Sequence, residues 1–173
     1  MTARPHAAVI YHPTKTPLDR VRAAVEHQER DLQWGVSRWY ETSQHDSGRS
    51  AAQQALMDDP AVIIVAGGDG TIRAVADVVH GSGIPVALVP TGTGNLLARD
   101  LGIPLGDVEA SIATAFSGET RAVDVGLAEF EDDNRVSHSQ VFLVMAGIGL
   151  DAEMAEHTSA IAKKRLGWFA YVT

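Results

Sequence analysis

The chain has 173 residues, 14 Lys and Arg against 22 Asp and Glu for a formal charge of −8, 45% hydrophobic residues and no cysteine. That composition fits one globular domain, or one domain and part of another, with a core large enough to hold without staples. It excludes a disulfide framework, a thiolate metal site and a thiol nucleophile, and its acidic balance argues against sequence-independent binding of nucleic-acid phosphates. The longest apolar run, residues 141–150, is broken by Gly147 and Gly149 and falls short of the roughly 18 to 20 residues of a membrane span. No signal-type apolar segment follows the first six residues, so the expectation is a soluble, intracellular domain.

Short apolar runs alternate with helical patterns, which predicts an α/β fold: a doubly wound, mainly parallel sheet with helices on both faces. Residues 7–11 read as a first strand. Thr16, Pro17 and Asp19 then read as a capping box, and Leu18, Val21, Val25 and Leu32 recur at helical spacing. Residues 36–42 predict a second strand and 50–58 a second helix stopped by Pro60. Residues 61–66, AVIIVA, are apolar throughout, as a strand buried on both faces requires. They run into Gly67-Gly68-Asp69-Gly70-Thr71 and a third helix over 72–80. A fourth strand over 85–89 leads to Thr91-Gly92-Thr93-Gly94-Asn95, a helix through Leu101 and another over 107–116.

After about residue 120 the pattern changes. Residues 121–130 and 137–146 predict an antiparallel hairpin around an acidic turn, and 151–164 a helix, followed by an aromatic tail with Trp168, Phe169 and Tyr171. Two strands and a short helix make a poor core, so the expectation is a nucleotide-binding α/β domain over 1–120 and the incomplete beginning of a β-rich second domain over 121–173.

The chemistry concentrates in the two glycine-rich loops, each between a strand and a helix. Gly67, Gly68 and Gly70 remove side chains where backbone must approach a ligand, and left-handed glycines would turn several N–H groups to one side. The helix expected from Thr71 adds the partial positive charge that favours an anion. Gly92, Gly94 and Asn95, the last a good N-cap residue, repeat the arrangement one strand later. A tight strand-to-helix turn explains one such loop; two, at the carboxyl ends of neighbouring strands, point to one crevice and a polyphosphate guest. A carboxylate beside a phosphate cradle is repulsive unless a cation intervenes, so Asp69 is expected to serve Mg²⁺, directly or through water; the alternative is a cap for the helix at Ile72.

Other templates fail. There is no Walker-type loop, no third glycine of a dinucleotide fingerprint, no Gly-x-Ser-x-Gly elbow and no His-Glu-x-x-His. The seven histidines show no zinc spacing, and His157 one turn after Glu153 reads as an exposed helix pair. Lys163, Lys164 and Arg165 read as a solvated face.

Residues 67–71, followed by Thr91-Gly92-Thr93-Gly94-Asn95-Leu96-Leu97-Ala98-Arg99, resemble the catalytic domain of the diacylglycerol kinase family, which includes bacterial lipid kinases and is distantly similar to NAD kinases. The resemblance extends through Val123-Asp124-Val125-Gly126, Gly147-Ile148-Gly149-Leu150-Asp151-Ala152 and Lys164-Arg165-Leu166-Gly167. It implies an ATP- and Mg²⁺-dependent kinase transferring the γ-phosphoryl group to the hydroxyl of a lipid such as diacylglycerol. Gly67 to Thr71 would bind the ATP phosphates and Asp69 the Mg²⁺; Thr91, Gly92, Thr93, Gly94 and Asn95 would line the nucleotide site, and Thr42 would lie near the nucleoside. His12 stands where the family often has an asparagine that reaches the phosphates, with Lys15 nearby; Arg99 and Asp100 would face the entering acceptor. The family's base comes from an Asp-Gly-Glu-like motif late in the second domain, and none follows the hairpin here, so the chain is expected to hold the donor half and to turn over poorly alone. A cytoplasmic protein touching a membrane surface transiently is implied, with homodimerisation open. The alternatives are an NAD kinase-like phosphotransferase and a non-catalytic nucleotide-binding module.

Overall fold

The computed structural model describes residues 4–43, 45–132 and 134–145. Four parallel strands, β1 (Ala7–Tyr11), β2 (Arg38–Glu41), β3 (Val62–Gly67) and β4 (Val86–Pro90), form a sheet in the order β2-β1-β3-β4. Helices α1 (Leu18–Asp31), α2 (Arg49–Met57) and α3 (Asp69–Val79) link them in turn, and α4 (Leu96–Asp100) and α5 (Val108–Ser117) follow β4. A separate antiparallel hairpin, β5 (Gly126–Glu131) and β6 (Ser137–Phe142), comes last.

Alternation along the strands splits the core into two layers. Ala8, Ile10, Ile63, Val65 and Leu88 face Ala51, Ala52 and Ala55 of α2 and Ile72, Val75 and Val79 of α3. Their neighbours Ala7, Val9, Val62, Ile64 and Val89 face Val21 and Val25 of α1 and Ile112 and Phe116 of α5. Helices therefore cover both faces, as the sequence predicts. β3 is buried at every position, which explains its unbroken apolar run. The chain steps from β1 outward to β2 through α1 on one face and from β3 outward to β4 through α3 on the other, the arrangement that right-handed crossovers demand. The order therefore reverses between β1 and β3, which is where an open sheet of this kind leaves its ligand crevice.

Several local expectations change. Pro17 occupies the N-cap of α1, without a side-chain cap, and Thr16 instead donates its hydroxyl to Ala66 O at 2.8 Å. Leu32 lies beyond α1 and is exposed. β2 is two residues shorter than predicted at its start, where Val36 is 83% exposed and has nothing to pack on. α3 begins at Asp69, inside the glycine loop, three residues before the predicted start. The first hairpin strand begins at Gly126, and residues 119–125 before it form no regular secondary structure. Contacts group the chain through Leu143 as one compact unit, hairpin included. The predicted helix over 151–164, the basic residues 163–165, the His157–Glu153 pair, the aromatic tail and the motifs from Gly147 onward lie outside the described residues.

Candidate phosphate-binding site

The four parallel strands end together, and nearly every residue singled out in the sequence sits at those ends. His12 follows β1, Thr42 follows β2, Gly67 closes β3 and Thr91 follows β4. The first and third flank the point where the strand order reverses.

The loop after β3 is shorter than its sequence suggests. Gly68 is an extended N-cap and α3 starts at once, so the N–H groups of Asp69, Gly70 and Thr71 lie in a first helical turn with no intrahelical partners and no side-chain cap. None of the loop glycines is left-handed; φ is positive at Gly48, Gly81, Gly83, Gly102 and Gly106 instead. The glycines serve close approach. A Cβ on Gly92 would lie 2.6 Å from Gly68 Cα, and one on Gly68 would lie 3.2 Å from Gly92 Cα, so the two loops touch backbone to backbone. Gly70 differs: a Cβ there would meet nothing within 4 Å. No protein atom requires glycine at position 70, which leaves room for a ligand against the first turn of α3 as its use.

The loop after β4 is tied down by its own polar groups. Thr91 N–H donates to Gly67 O at 3.1 Å. Asn95 is left-handed, at φ 49°, and its amide grips Gly92 on both sides, accepting its N–H at 3.0 Å and donating to its carbonyl at 2.8 Å. Asn95 thus makes no side-chain cap for α4 and turns its amide inward, toward the loop. Asp69 does cap a helix, but not its own: Oδ1 accepts the N–H of Leu96, the first residue of α4, at 2.6 Å. Its Oδ2 lies beside Gly94, where a Cβ would come within 2.8 Å. Asp69 therefore braces one loop against the other and keeps one oxygen for further use. Arg99 donates from Nε to Gly94 O at 2.8 Å, which fixes its guanidinium to this loop.

Two further segments join the site. His12 accepts the Thr14 N–H on Nδ1 at 3.3 Å, which places the ring proton of the neutral form on Nε2 as a donor. Burial, with Lys15 nearby, pushes its pKa below the ordinary 6.5. Thr42 is buried, and its methyl lies against Gly48, at φ 114°; a Cβ on Gly48 would sit 2.9 Å from Thr42 Cγ2 and 3.6 Å from Thr71 Cγ2. Thr42 and Thr71 are thereby neighbours across Gly48. Sequence reasoning missed this turn, although Asp46-Ser47-Gly48-Arg49-Ser50 carries a turn-and-cap signal: Asp46 accepts the N–H groups of Gly48 and Ser50, both at 3.0 Å. It also missed Thr16, which accepts the His12 N–H and donates to Ala66, pinning the β1 loop to the end of β3.

A concavity lined by Lys15, Thr16, Arg20, Thr91, Gly106 and Val108 opens on the α1 and α5 side of the loops. Thr91 Oγ1 is buried there with no hydrogen-bond partner among the described residues. An orphaned hydroxyl at the strand ends fits a ligand rich in acceptor oxygens. No group of three or more His, Cys, Asp or Glu side chains that could hold a metal gathers among the described residues; in the two loops, Asp69 offers a carboxylate oxygen for a cation.

These features define a doubly wound α/β domain whose strand ends carry two interlocked glycine loops, a candidate phosphate site. The family model for the diacylglycerol kinase catalytic domain matches residues 6–128, and the chain belongs to that family. It is 33% identical over 168 residues to a Pseudomonas fluorescens protein named "Probable lipid kinase YegS-like", covering 96% of this chain and 52% of that protein. It is 31% identical over 175 aligned positions to a diacylglycerol kinase of Bacillus subtilis, covering 95% and 52%. The crystal structure of a diacylglycerol kinase from Bacillus anthracis shares the fold with a TM-score of 0.64 at 22% identity, over 99% of this chain and 56% of that one. The chain spans about half the length of these relatives.

Proposed function

We propose that the chain is the nucleotide-binding part of an ATP- and Mg²⁺-dependent kinase that transfers the γ-phosphoryl group of ATP to the hydroxyl of a lipid such as diacylglycerol. The observation that carries this reading is the uncapped first turn of α3 at the strand-order reversal, with Gly70 open in front of it. Three unpaired N–H groups and the helix dipole attract phosphate oxygens there. The family membership and the names of the relatives supply the reaction class.

In this reading Gly67 to Thr71 hold the phosphates through backbone N–H groups, Thr91 Oγ1 and His12 Nε2 donate to phosphate oxygens, and Thr42 lies toward the nucleoside. Asp69 would hold Mg²⁺ through Oδ2, directly or by way of water, because Oδ1 is engaged with Leu96. Held there, the ion would supply charge neutralisation to the phosphates, which transfer needs while the bond to the leaving diphosphate breaks. The acceptor oxygen forms the new bond to phosphorus and gives its proton to a base, which the family carries late in its second domain. Residues 1–120 supply the donor side, and 121–173 open that second domain. Acting on lipid, the enzyme would work from the cytoplasm at a membrane surface; among the described residues no helix is long and apolar enough to cross one.

Isothermal titration with Mg·ATP tests the site. A Cβ at Gly70 would meet no protein atom within 4 Å, so Gly70→Val is expected to stay folded and to bind at least ~10-fold more weakly, a loss of about 1.4 kcal/mol. Equal affinity in the two proteins would remove the α3 turn from the nucleotide site. Label transfer from ATP by the full-length protein to diacylglycerol, sphingosine, ceramide and NAD in parallel tests the acceptor; transfer to NAD alone would overturn the lipid reading.

A further inference from the structure

In the last turn of α3, well away from the loops, Asp77 makes contacts that the nucleotide site does not use. Its side chain is only 7% exposed and forms an ion pair with Arg49 at the start of α2. Its other oxygen, Oδ1, accepts the backbone N–H of Val141 in β6 at 3.0 Å. Burial alone would raise the carboxyl's pKa; the Val141 N–H and the Arg49 guanidinium outweigh it and hold the pKa below the usual value. Arg73, one turn earlier, adds positive charge beside it, with its Nη1 buried and unpartnered among the described residues.

The Val141 contact is unusual for a hairpin. β5 and β6 form a two-stranded sheet with Leu127 opposite Val141. Because Val141 gives its N–H to Asp77, that group points away from β5, onto the free edge of the hairpin. Such an edge ordinarily exposes unpaired N–H groups or takes another strand. Here a charged carboxylate takes the place of a strand partner, and Val141 itself is 1% exposed. A hydrogen bond from a backbone amide to a carboxylate is stronger than one between neutral groups, and its direction fixes both the register and the height of β6 on the helix.

We propose that Asp77 is a positioning residue that clamps the β5–β6 hairpin onto α3, so that one helix sets both the glycine loop at its N-terminus and the hairpin at its C-terminal turn. Arg49 completes the clamp from α2, whose preceding residue, Gly48, packs against Thr42 and Thr71 of the site. The catalytic consequence rests on the kinase reading: the hairpin leads into the second domain, so the clamp would fix where the acceptor side starts relative to the phosphates.

Amide hydrogen exchange on this chain, without nucleotide, tests the clamp directly. In Asp77→Ala the Val141 N–H is expected to exchange at least ~10-fold faster relative to the amides of β3, which serve as the internal reference for global stability. Asp77→Asn keeps the side chain's shape and one acceptor oxygen but loses the charge, and the expected acceleration is smaller, about 3-fold. Unchanged Val141 exchange in either folded variant would overturn the proposal, as would acceleration of the β3 amides by the same factor.

The full-length kinase gives the second readout. Asp77→Asn is expected to lower kcat about 10-fold while the KM for Mg·ATP stays within about 3-fold. Parallel losses in both would mean a general structural role and would also overturn the proposal. If the unaltered protein transfers no label to lipid, the kinase reading fails, and the exchange experiment still decides the clamp.

Discussion

The loop after β3 and the loop after β4 share a glycine spacing, Gly68-x-Gly70 and Gly92-x-Gly94, and differ in where their polar groups go. In the second loop the polar groups are occupied: Asn95 holds both sides of Gly92, Arg99 holds Gly94, and Asp69 holds the Leu96 N–H. In the first loop the N–H groups of a starting helix face outward, and Gly70 has no protein neighbour. One loop is a brace and the other is the surface it supports. The comparison teaches that a glycine can be required by the fold or by a ligand, and that the two cases separate by what its missing Cβ would strike.

That contrast breaks most readily at Gly92. A Cβ there would collide with backbone, Gly68 Cα at 2.6 Å, which cannot rotate away. Gly92→Ala is expected to cost about 1–3 kcal/mol in denaturant unfolding, as overpacking does. Alanine at Gly70, in the first turn of a helix and facing open space, should change stability by less than about 1 kcal/mol, toward a gain. Equal costs at the two positions would mean that the loops do not interlock.

Asp69 gives a second effect of similar size. Removing its carboxylate leaves the Leu96 N–H without an acceptor, a loss of about 1–3 kcal/mol for a partly buried group. Asp69→Asn retains an oxygen at that place and should recover a good part of the stability, while Mg·ATP binding stays impaired because the negative charge is gone. Chemical unfolding beside calorimetric titration separates the two functions. Full recovery of both by asparagine would show that Asp69 is a brace alone.

The fold was readable because hydrophobic periodicity reports burial directly. The AVIIVA run announced the buried strand β3, and the spacing of Val21 and Val25 announced the inward face of α1. Gathering the site residues at the strand ends followed from parallel topology. What the sequence could not show was partnership between distant residues. Thr16 reads as a local helix cap and instead reaches Ala66, fifty positions away. Asp69 reads as a cap for α3 and caps α4, twenty-seven positions on. Asp77 carries no sequence signal, because its partner in β6 lies 64 positions on. For Thr16 and Asp69 a short-range pattern offered a plausible local bond, and the tertiary structure brought a different acceptor or donor within reach.

The smallest effect, and the one that asks most of the comparison, concerns His12. This residue follows β1 at the strand ends, and burial together with Lys15 lowers its pKa from 6.5. The folded protein therefore binds this proton less readily than the unfolded chain. The ring's contribution to stability is complete above 6.5 and is lost as pH falls through 6.5 toward the folded value. A titration of the His12 ring by NMR should place its midpoint below 6.5 in the free protein. A phosphate group close to Nε2 favours the charged imidazolium, so saturating Mg·ATP should move the midpoint upward, reversing the effect of burial. An upward shift would tie the β1 loop to the phosphates through the residue that replaces the family's asparagine. A midpoint unmoved by nucleotide would leave the outward-facing turn of α3 as the phosphate surface and assign His12, with Thr16, to holding the β1 loop in place.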